Sequence, residues 1–114
     1  MHELSIAMSL ADMAQEEASR RGAEIQSVHV KLGRLSGVVK EALLSSYEMA
    51  VFDTPLQGSS LLIEEVPVVV FCPACRQQRA IESMQWMACP ACGTPTPEVV
   101  QGRELELVAL EIRE

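Results

Sequence analysis

The first hydrophobic pattern along the chain has the period of an α-helix and runs from residue 3 to residue 21. Glu3 in the first turn and Arg20 and Arg21 in the last turn complement the helix dipole. Gly22 follows as the left-handed residue that ends many helices. The predicted buried face carries small and aliphatic side chains, namely Leu4, Ala7, Ala11, Ala14 and Ala18.

Two more elements follow from the pattern in the next thirty residues. Apolar and polar side chains alternate from residue 27 to residue 32, which predicts a half-buried strand. The helical period then returns, so we expect a second helix that is capped by Ser36 or Gly37 and runs to about Phe52. Its predicted buried side consists of Leu43, Leu44, Tyr47, Ala50 and Val51.

Two further strands are predicted on either side of a cysteine-containing segment. Residues 60 to 66 form one, which ends at Pro67 because proline has no N–H group for a sheet. The other extends from Glu104 to Ile112. Its apolar positions fall in two phases, Leu105 and Leu107 in one and Val108, Leu110 and Ile112 in the other. A β-bulge near Leu107, or burial on both faces, would explain the change of phase.

The cysteine-containing segment holds two identical tetrapeptides, Cys72-Pro73-Ala74-Cys75 and Cys89-Pro90-Ala91-Cys92. Each CxxC turn directs two thiolates to one centre, and four thiolates in a tetrahedron are a set that Zn²⁺ prefers. Such a site is structural, because no position stays open for water or substrate. Iron fits the same four sulfur atoms. Disulfides would need an oxidising compartment. The chain has no apolar signal segment with a basic flank at its start, and two CxxC pairs suit a reducing compartment better, so we disfavour disulfides.

These elements together predict an α+β fold. We expect two helices on a small three-stranded sheet, with a zinc-ribbon-like module inserted between the second and third strands. The predicted division assigns residues 1–67 plus 99–114 to the α+β domain and residues 68–98 to the zinc module.

Composition narrows the classes of function. The chain has 114 residues with 16 acidic and 9 basic side chains, a net charge of -7. This excess of acid argues against nucleic-acid binding, which depends on clustered lysine and arginine. No apolar run approaches the roughly 20 residues that cross a bilayer. Four cysteines in CxxC pairs suit a reducing compartment, so we expect a cytoplasmic protein.

The N-terminus offers a second candidate metal site. The α-amine of Met1, the amide nitrogen of His2 and its imidazole can close two fused chelate rings around one ion. The Glu3 amide or carboxylate can supply a fourth ligand. A planar set rich in nitrogen suits Ni²⁺ or Cu²⁺. On residue type alone, however, a solvated terminal histidine is the commoner explanation.

Three separated segments of the chain resemble the HypA/HybF family. They are residues 1–7, residues 28–38, and the two CxxC turns followed by Gly102-Arg103-Glu104-Leu105. The resemblance covers essentially the whole chain, and the segments agree in order and spacing. Members of this family are nickel metallochaperones for the maturation of nickel-iron hydrogenase and, in some organisms, of urease.

The resemblance implies a ligand set for each of two metals. Nickel would be transient cargo bound by Met1, His2 and Glu3. A structural zinc would be bound by Cys72, Cys75, Cys89 and Cys92. The implied partners are a HypB-type GTPase and the precursor of the nickel-iron hydrogenase large subunit, and the expected state is a monomer or weak homodimer.

Two other functions agree with the four cysteines alone. One is a zinc-ribbon adaptor that binds only protein and makes no use of nickel. The other is a rubredoxin-like electron carrier with iron in place of zinc. An enzyme is not expected, because all four cysteines are assigned to metal and His29 is the only other histidine besides His2. We interpret His29 as a solvated residue on a strand face.

Overall fold

The computed structural model describes residues 2–81, 87–96 and 98–113, which form two helices and six strands. The helices are α1 (Glu3–Arg21) and α2 (Lys40–Val51). The strands are β1 (Glu24–Gly33), β2 (Ser60–Val66), β3 (Val68–Cys72), β4 (Gln77–Ile81), β5 (Val99–Gln101) and β6 (Leu105–Arg113). Neither helix is long and apolar enough to cross a membrane.

The larger sheet has the strand order β2-β1-β6. β1 pairs with β2 in parallel and with β6 in antiparallel orientation. A parallel pair needs a crossover connection, and α2 provides it between β1 and β2. α1 packs against α2, and both helices share one core with the sheet. The predicted α+β fold with two helices and a three-stranded sheet is therefore confirmed.

α1 has the bounds that the sequence predicts. Its most buried side chains include Ala7 and Ala14, both fully inaccessible to solvent. Gly22 adopts the left-handed conformation with φ 60°, and its N–H group bonds to the carbonyl oxygens of the last turn. Leu4, which the pattern placed on the buried face, is 41% exposed. The helix thus contacts the core mainly through small residues, which allow close packing.

α2 begins later than the sequence predicts. Its N-cap is Val39, without a side-chain capping bond, and not Ser36 or Gly37. The Ser36 hydroxyl instead accepts a hydrogen bond from the Val38 N–H group within a turn. The preceding residue, Leu35, donates its N–H group to the Gly102 carbonyl oxygen in the link after β5, and its side chain packs against the core of the smaller sheet. The chain must leave that contact before a helix can start, so the predicted cap was wrong.

β6 contains the bulge that its two hydrophobic phases predict. His29 pairs with Ala109 and Val30 pairs with Leu107, so Val108 has no partner in β1. The extra residue shifts the alternation by one position. Leu105, Leu107 and Leu110 consequently all pack against the main core. Val108 itself is 48% exposed, so the change of phase reflects a bulge and not burial on both faces.

The smaller sheet has the order β4-β3-β5 and lies in the sequence between β2 and β6, as the predicted insertion requires. Its core is small. The buried side chains are Val68, Val70 and Ile81, with Leu35, Met87 and Val99 packed against them. β5 pairs with β3 and therefore belongs to the smaller sheet. The predicted boundaries of the zinc module, after residue 67 and after residue 98, stay a prediction.

The two sheets meet where β1 ends against the link between β5 and β6. The Gly33 N–H group bonds to the Glu104 carbonyl oxygen, and the Leu35 N–H group bonds to that of Gly102, both at 2.7 Å. A Cβ atom on Gly33 would lie 2.1 Å from the Gly102 oxygen. Real Cβ atoms do not approach backbone so closely, so this contact requires glycine.

We expect Gly33→Ala to lower the free energy of unfolding by about 3 kcal/mol, because overpacking against backbone cannot be relieved by a rotamer change. Gly37→Ala is the matched control. Gly37 has φ 80° with open space around its Cβ position, so only backbone strain of about 1 kcal/mol applies. Urea unfolding measures both variants. Equal losses would contradict a steric contact at Gly33.

Candidate metal sites

The four cysteines lie together at one end of the smaller sheet. Cys72 is the last residue of β3, and Cys75 lies in the turn that leads to β4. Cys89 and Cys92 lie in a second turn, which is closed by a bridge between Ala88 and Pro95. The four sulfur atoms are within 4.8 Å of one another. Residues far apart in sequence thus supply one compact set of ligands.

The sulfur positions fit a tetrahedral metal site. With zinc–sulfur bonds of about 2.3 Å, a tetrahedron has edges of about 3.8 Å. The sulfur atoms of Cys72 and Cys92 are 3.5 Å apart, and those of Cys75 and Cys89 are 3.9 Å apart. A disulfide bond is only about 2.05 Å long, and all four thiols are free. The cysteines are therefore positioned to bind a metal ion, and the disulfide alternative is wrong.

The two CxxC turns have the same backbone design. The Arg76 N–H group donates to the Cys72 carbonyl oxygen at 2.7 Å, and the Gly93 N–H group donates to that of Cys89 at 2.8 Å. Both donors follow the second cysteine and have positive φ, 57° for Arg76 and 77° for Gly93. This conformation reverses the chain after each cysteine pair, so that both thiols of a turn face the same centre.

The thiols do not ionise equally in the absence of a cation. Burial of Cys89 resists ionisation, but the backbone N–H groups of Cys92 and Ala91 outweigh it and lower the pKa of Cys89 to about 6. A hydrogen bond with Cys92 is the main cause that raises the pKa of Cys75 to about 11. Neighbouring thiolates repel one another, so a divalent cation is what allows all four to lose their protons.

The structure also places two of the three candidate nickel ligands. Met1 lies outside the described residues. His2 is exposed, and its carbonyl oxygen accepts the first hydrogen bond of α1 while its imidazole makes no capping bond. The Glu3 carboxylate accepts the Val39 N–H group at 3.4 Å. The backbone N–H group of Glu3 itself and, to a smaller extent, that of Val39 lower the pKa of the Glu3 carboxyl group.

A polar cluster on the larger sheet was not predicted. His29 is half-buried, and its Nε2 atom lies 2.5 Å from Oε1 of Glu111 and 3.3 Å from the Ser27 hydroxyl. The hydrogen bonds from His29 and, secondarily, Ser27 lower the pKa of Glu111. His29 is thus not the simply solvated residue that alternation indicates. Only the pairing of β1 with β6 brings these side chains together.

The comparisons with known proteins place the chain in a family. Residues 1–112 match the family model described as hydrogenase/urease nickel incorporation, metallochaperone, hypA. The chain belongs to the HypA family. The resemblance that the sequence motifs indicate is therefore confirmed, and the two candidate metal sites are those of a HypA-family protein.

Relatives match this HypA-family chain over nearly its full length. Hydrogenase maturation factor HypA of Chloroflexus aurantiacus is 48% identical over 112 residues, which cover 97% of this chain and 98% of the relative. That of Deinococcus radiodurans is 43% identical over 110 residues, or 94% and 89% of the two chains. The solution structure of the Ni metallochaperone HypA from Helicobacter pylori aligns with a TM-score of 0.66 and 26% identity, covering 98% and 97%.

We expect Glu111→Gln to destabilise the fold at neutral pH, because the carboxylate is the shared partner of His29 and Ser27. A carboxylate with a lowered folded-state pKa stabilises the protein above its unfolded pKa of about 4.5, and this contribution disappears as the pH falls through the lower folded-state value. The difference in unfolding free energy between wild type and variant should therefore vanish in acid.

Glu106→Gln is the control for this prediction. Glu106 lies on the same strand, and its carboxylate makes no hydrogen bond within the part of the chain that the structure describes. Unfolding by urea at several pH values measures both variants. A pH-independent difference for Glu111→Gln would show that its carboxylate charge plays no part.

Proposed function

We propose that this protein binds Ni²⁺ at its N-terminus and delivers it, together with a HypB-type GTPase, to the precursor of the nickel-iron hydrogenase large subunit. The observation that carries the proposal is the family match over residues 1–112 on a chain that starts Met1-His2-Glu3. The family description names both hydrogenase and urease, so delivery to urease belongs to the same proposal.

The proposed nickel ligands are the Met1 α-amine, the His2 amide and imidazole nitrogens, and a group of Glu3. Two features of the described residues support them. His2 is exposed, so an ion can reach its imidazole without disturbing the core. The first N–H groups of a helix have no intrahelical acceptor, and the positive end of the helix dipole stabilises the negative charge of a deprotonated amide.

The Glu3 carboxylate already has another partner. It accepts the Val39 N–H group and thereby joins the start of α1 to the start of α2. Binding nickel through this carboxylate would compete with that hydrogen bond, whereas binding through the Glu3 amide would not. The contact therefore favours the amide nitrogen as the fourth ligand.

The proposed zinc site differs from the nickel site in ligand type and in access. Four thiolates suit Zn²⁺, whereas amine, amide and imidazole nitrogens suit Ni²⁺. Cys72 and Cys89 are buried, so zinc is retained as part of the fold. His2 lies at an exposed chain end, from which an ion can pass to a partner. The zinc therefore stabilises the structure while the nickel is cargo.

His2→Ala should abolish specific nickel binding and leave zinc content unchanged, because no core packing depends on His2. Addition of one residue before Met1 should weaken nickel binding, since it turns the chelating amine into an amide. Isothermal titration calorimetry on untagged protein measures both. His29→Ala is the matched control for loss of a histidine and should bind nickel as wild type does.

Equal nickel affinity in wild type, His2→Ala and the extended form would require the chaperone function to be withdrawn. The chain would then be better explained as a zinc-ribbon adaptor. Acid should weaken nickel binding in the wild type, because protons compete for the nitrogen ligands.

Cys72→Ala should remove the bound metal and unfold the smaller sheet, because the core of three buried side chains is too small to persist without it. Structural zinc supplies about 10 kcal/mol or more to modules of this kind. Metal analysis and NMR spectra measure the two effects, and Ala74→Ser in the same turn is the control. Iron in wild-type protein, visible as a red colour, would favour an electron carrier instead.

A further inference from the structure

Arg79 occupies an unexpected position in the smaller sheet. The register of β3 and β4 pairs Arg79 with Val70, which is fully buried. Paired residues of neighbouring strands project from the same face of a sheet. The next pair on this face is Val68 with Ile81, both also buried. A charged side chain therefore projects from the apolar face of the sheet, where a charge is costly unless it is compensated.

The compensation comes from the cysteines. The register also places Cys72, two residues beyond Val70, on the same face as Arg79, and the guanidinium group lies beside the thiols of Cys75 and Cys89, one from each CxxC turn. Its Nε atom is buried and has no hydrogen-bond partner among residues 2–81, 87–96 and 98–113, so this donor is available to a group at the cysteine site. Ion pairs within these same ranges involve Arg20, Arg21 and His29, and none includes Arg79. The four-cysteine site is thus the negative group that Arg79 faces.

The positive charge of Arg79 would partly neutralise the negative charge of the metal-bound site. Four thiolates around one divalent cation carry a net charge of two negative units, which one guanidinium reduces by half. Hydrogen bonds to metal-bound atoms also orient the ligands and change how strongly they hold the metal. Arginine suits such a position because it stays charged and presents several N–H donors in a planar fork.

We propose that Arg79 is a positioning residue of the four-cysteine site, where its guanidinium joins the two CxxC turns and slows loss of the metal ion. Because the guanidinium holds both turns together, it opposes the movement by which a thiolate leaves the metal. This inference rests on the proposed zinc assignment. Arg76 cannot act in this way, because its side chain is exposed and the contacts with Cys75 and Cys89 come from Arg79.

Transfer of zinc from the full-length chain to a colorimetric chelator at neutral pH tests the proposal. Arg79→Gln should release zinc about ten-fold faster than wild type, at the lower end of the effect of losing such outer contacts. Arg79→Lys keeps the charge without the planar fork and should recover part of the difference. Arg76→Gln removes an arginine of the same module and should release zinc at the wild-type rate.

Metal analysis before each transfer separates the two proposals. Wild-type protein without zinc would remove the zinc assignment itself. Zinc-loaded Arg79→Gln and Arg76→Gln chains that release zinc at equal rates would overturn the role of Arg79 alone. Arg79→Lys releasing zinc as fast as Arg79→Gln would also overturn it, because the charge would then have no effect. If Arg79→Gln loads less zinc than Arg76→Gln under identical conditions, the lower loading supports the proposal.

Discussion

The contact between two backbone segments at Gly33 and Gly102 joins the two halves of this protein. Here the end of β1 approaches the link between β5 and β6 so closely that no side chain fits on Gly33. Hydrogen bonds of Gly33 and Leu35 hold the segments together. The same contact carries the Leu35 side chain to the smaller core and delays the start of α2. The placement of both candidate metal sites on one scaffold therefore depends on a glycine with no chemical role.

The two sheets reach stability by different means. The larger sheet shares an extensive core with both helices, in which twelve residues are buried. The apolar core of the smaller sheet contains three buried side chains within the described residues, Val68, Val70 and Ile81, which is little for a module to fold independently. The four-cysteine site adds to the smaller sheet a contact between two turns that lie apart in the sequence. Arg79 fits this design because it contacts one cysteine from each turn.

The two candidate metal sites differ in ligand chemistry and in solvent access. These two properties decide whether a site retains its metal ion or can transfer it. A metal held by four sulfur atoms from two turns, with Cys72 and Cys89 buried, would leave only if the set came apart. In the proposed function, His2 lies at the exposed start of α1, where a nickel ion would exchange with little change in the fold. Membership in the HypA family agrees with this division, since a protein that incorporates nickel into another must both bind the ion and give it up.

Local patterns in the sequence determined much of the fold and the position of the four-cysteine cluster. The bounds of α1 and its Gly22 stop depend on neighbouring residues, and the bulge at Val108 appears as a shift in the phase of one strand. The cysteine spacing likewise reveals the metal site. The candidate N-terminal ligands were inferred from family motifs, because a histidine at position 2 is by itself weak information.

Contacts between distant residues decided what the sequence could not. α2 starts after Ser36 and Gly37 because Leu35 is held by the smaller sheet, a contact that no local propensity encodes. His29 meets Glu111 across 82 positions of sequence, and the register of β3 and β4 turns Arg79 toward the cysteines. Such interactions depend on strand pairing, and a shift of one residue would send these side chains to the opposite face.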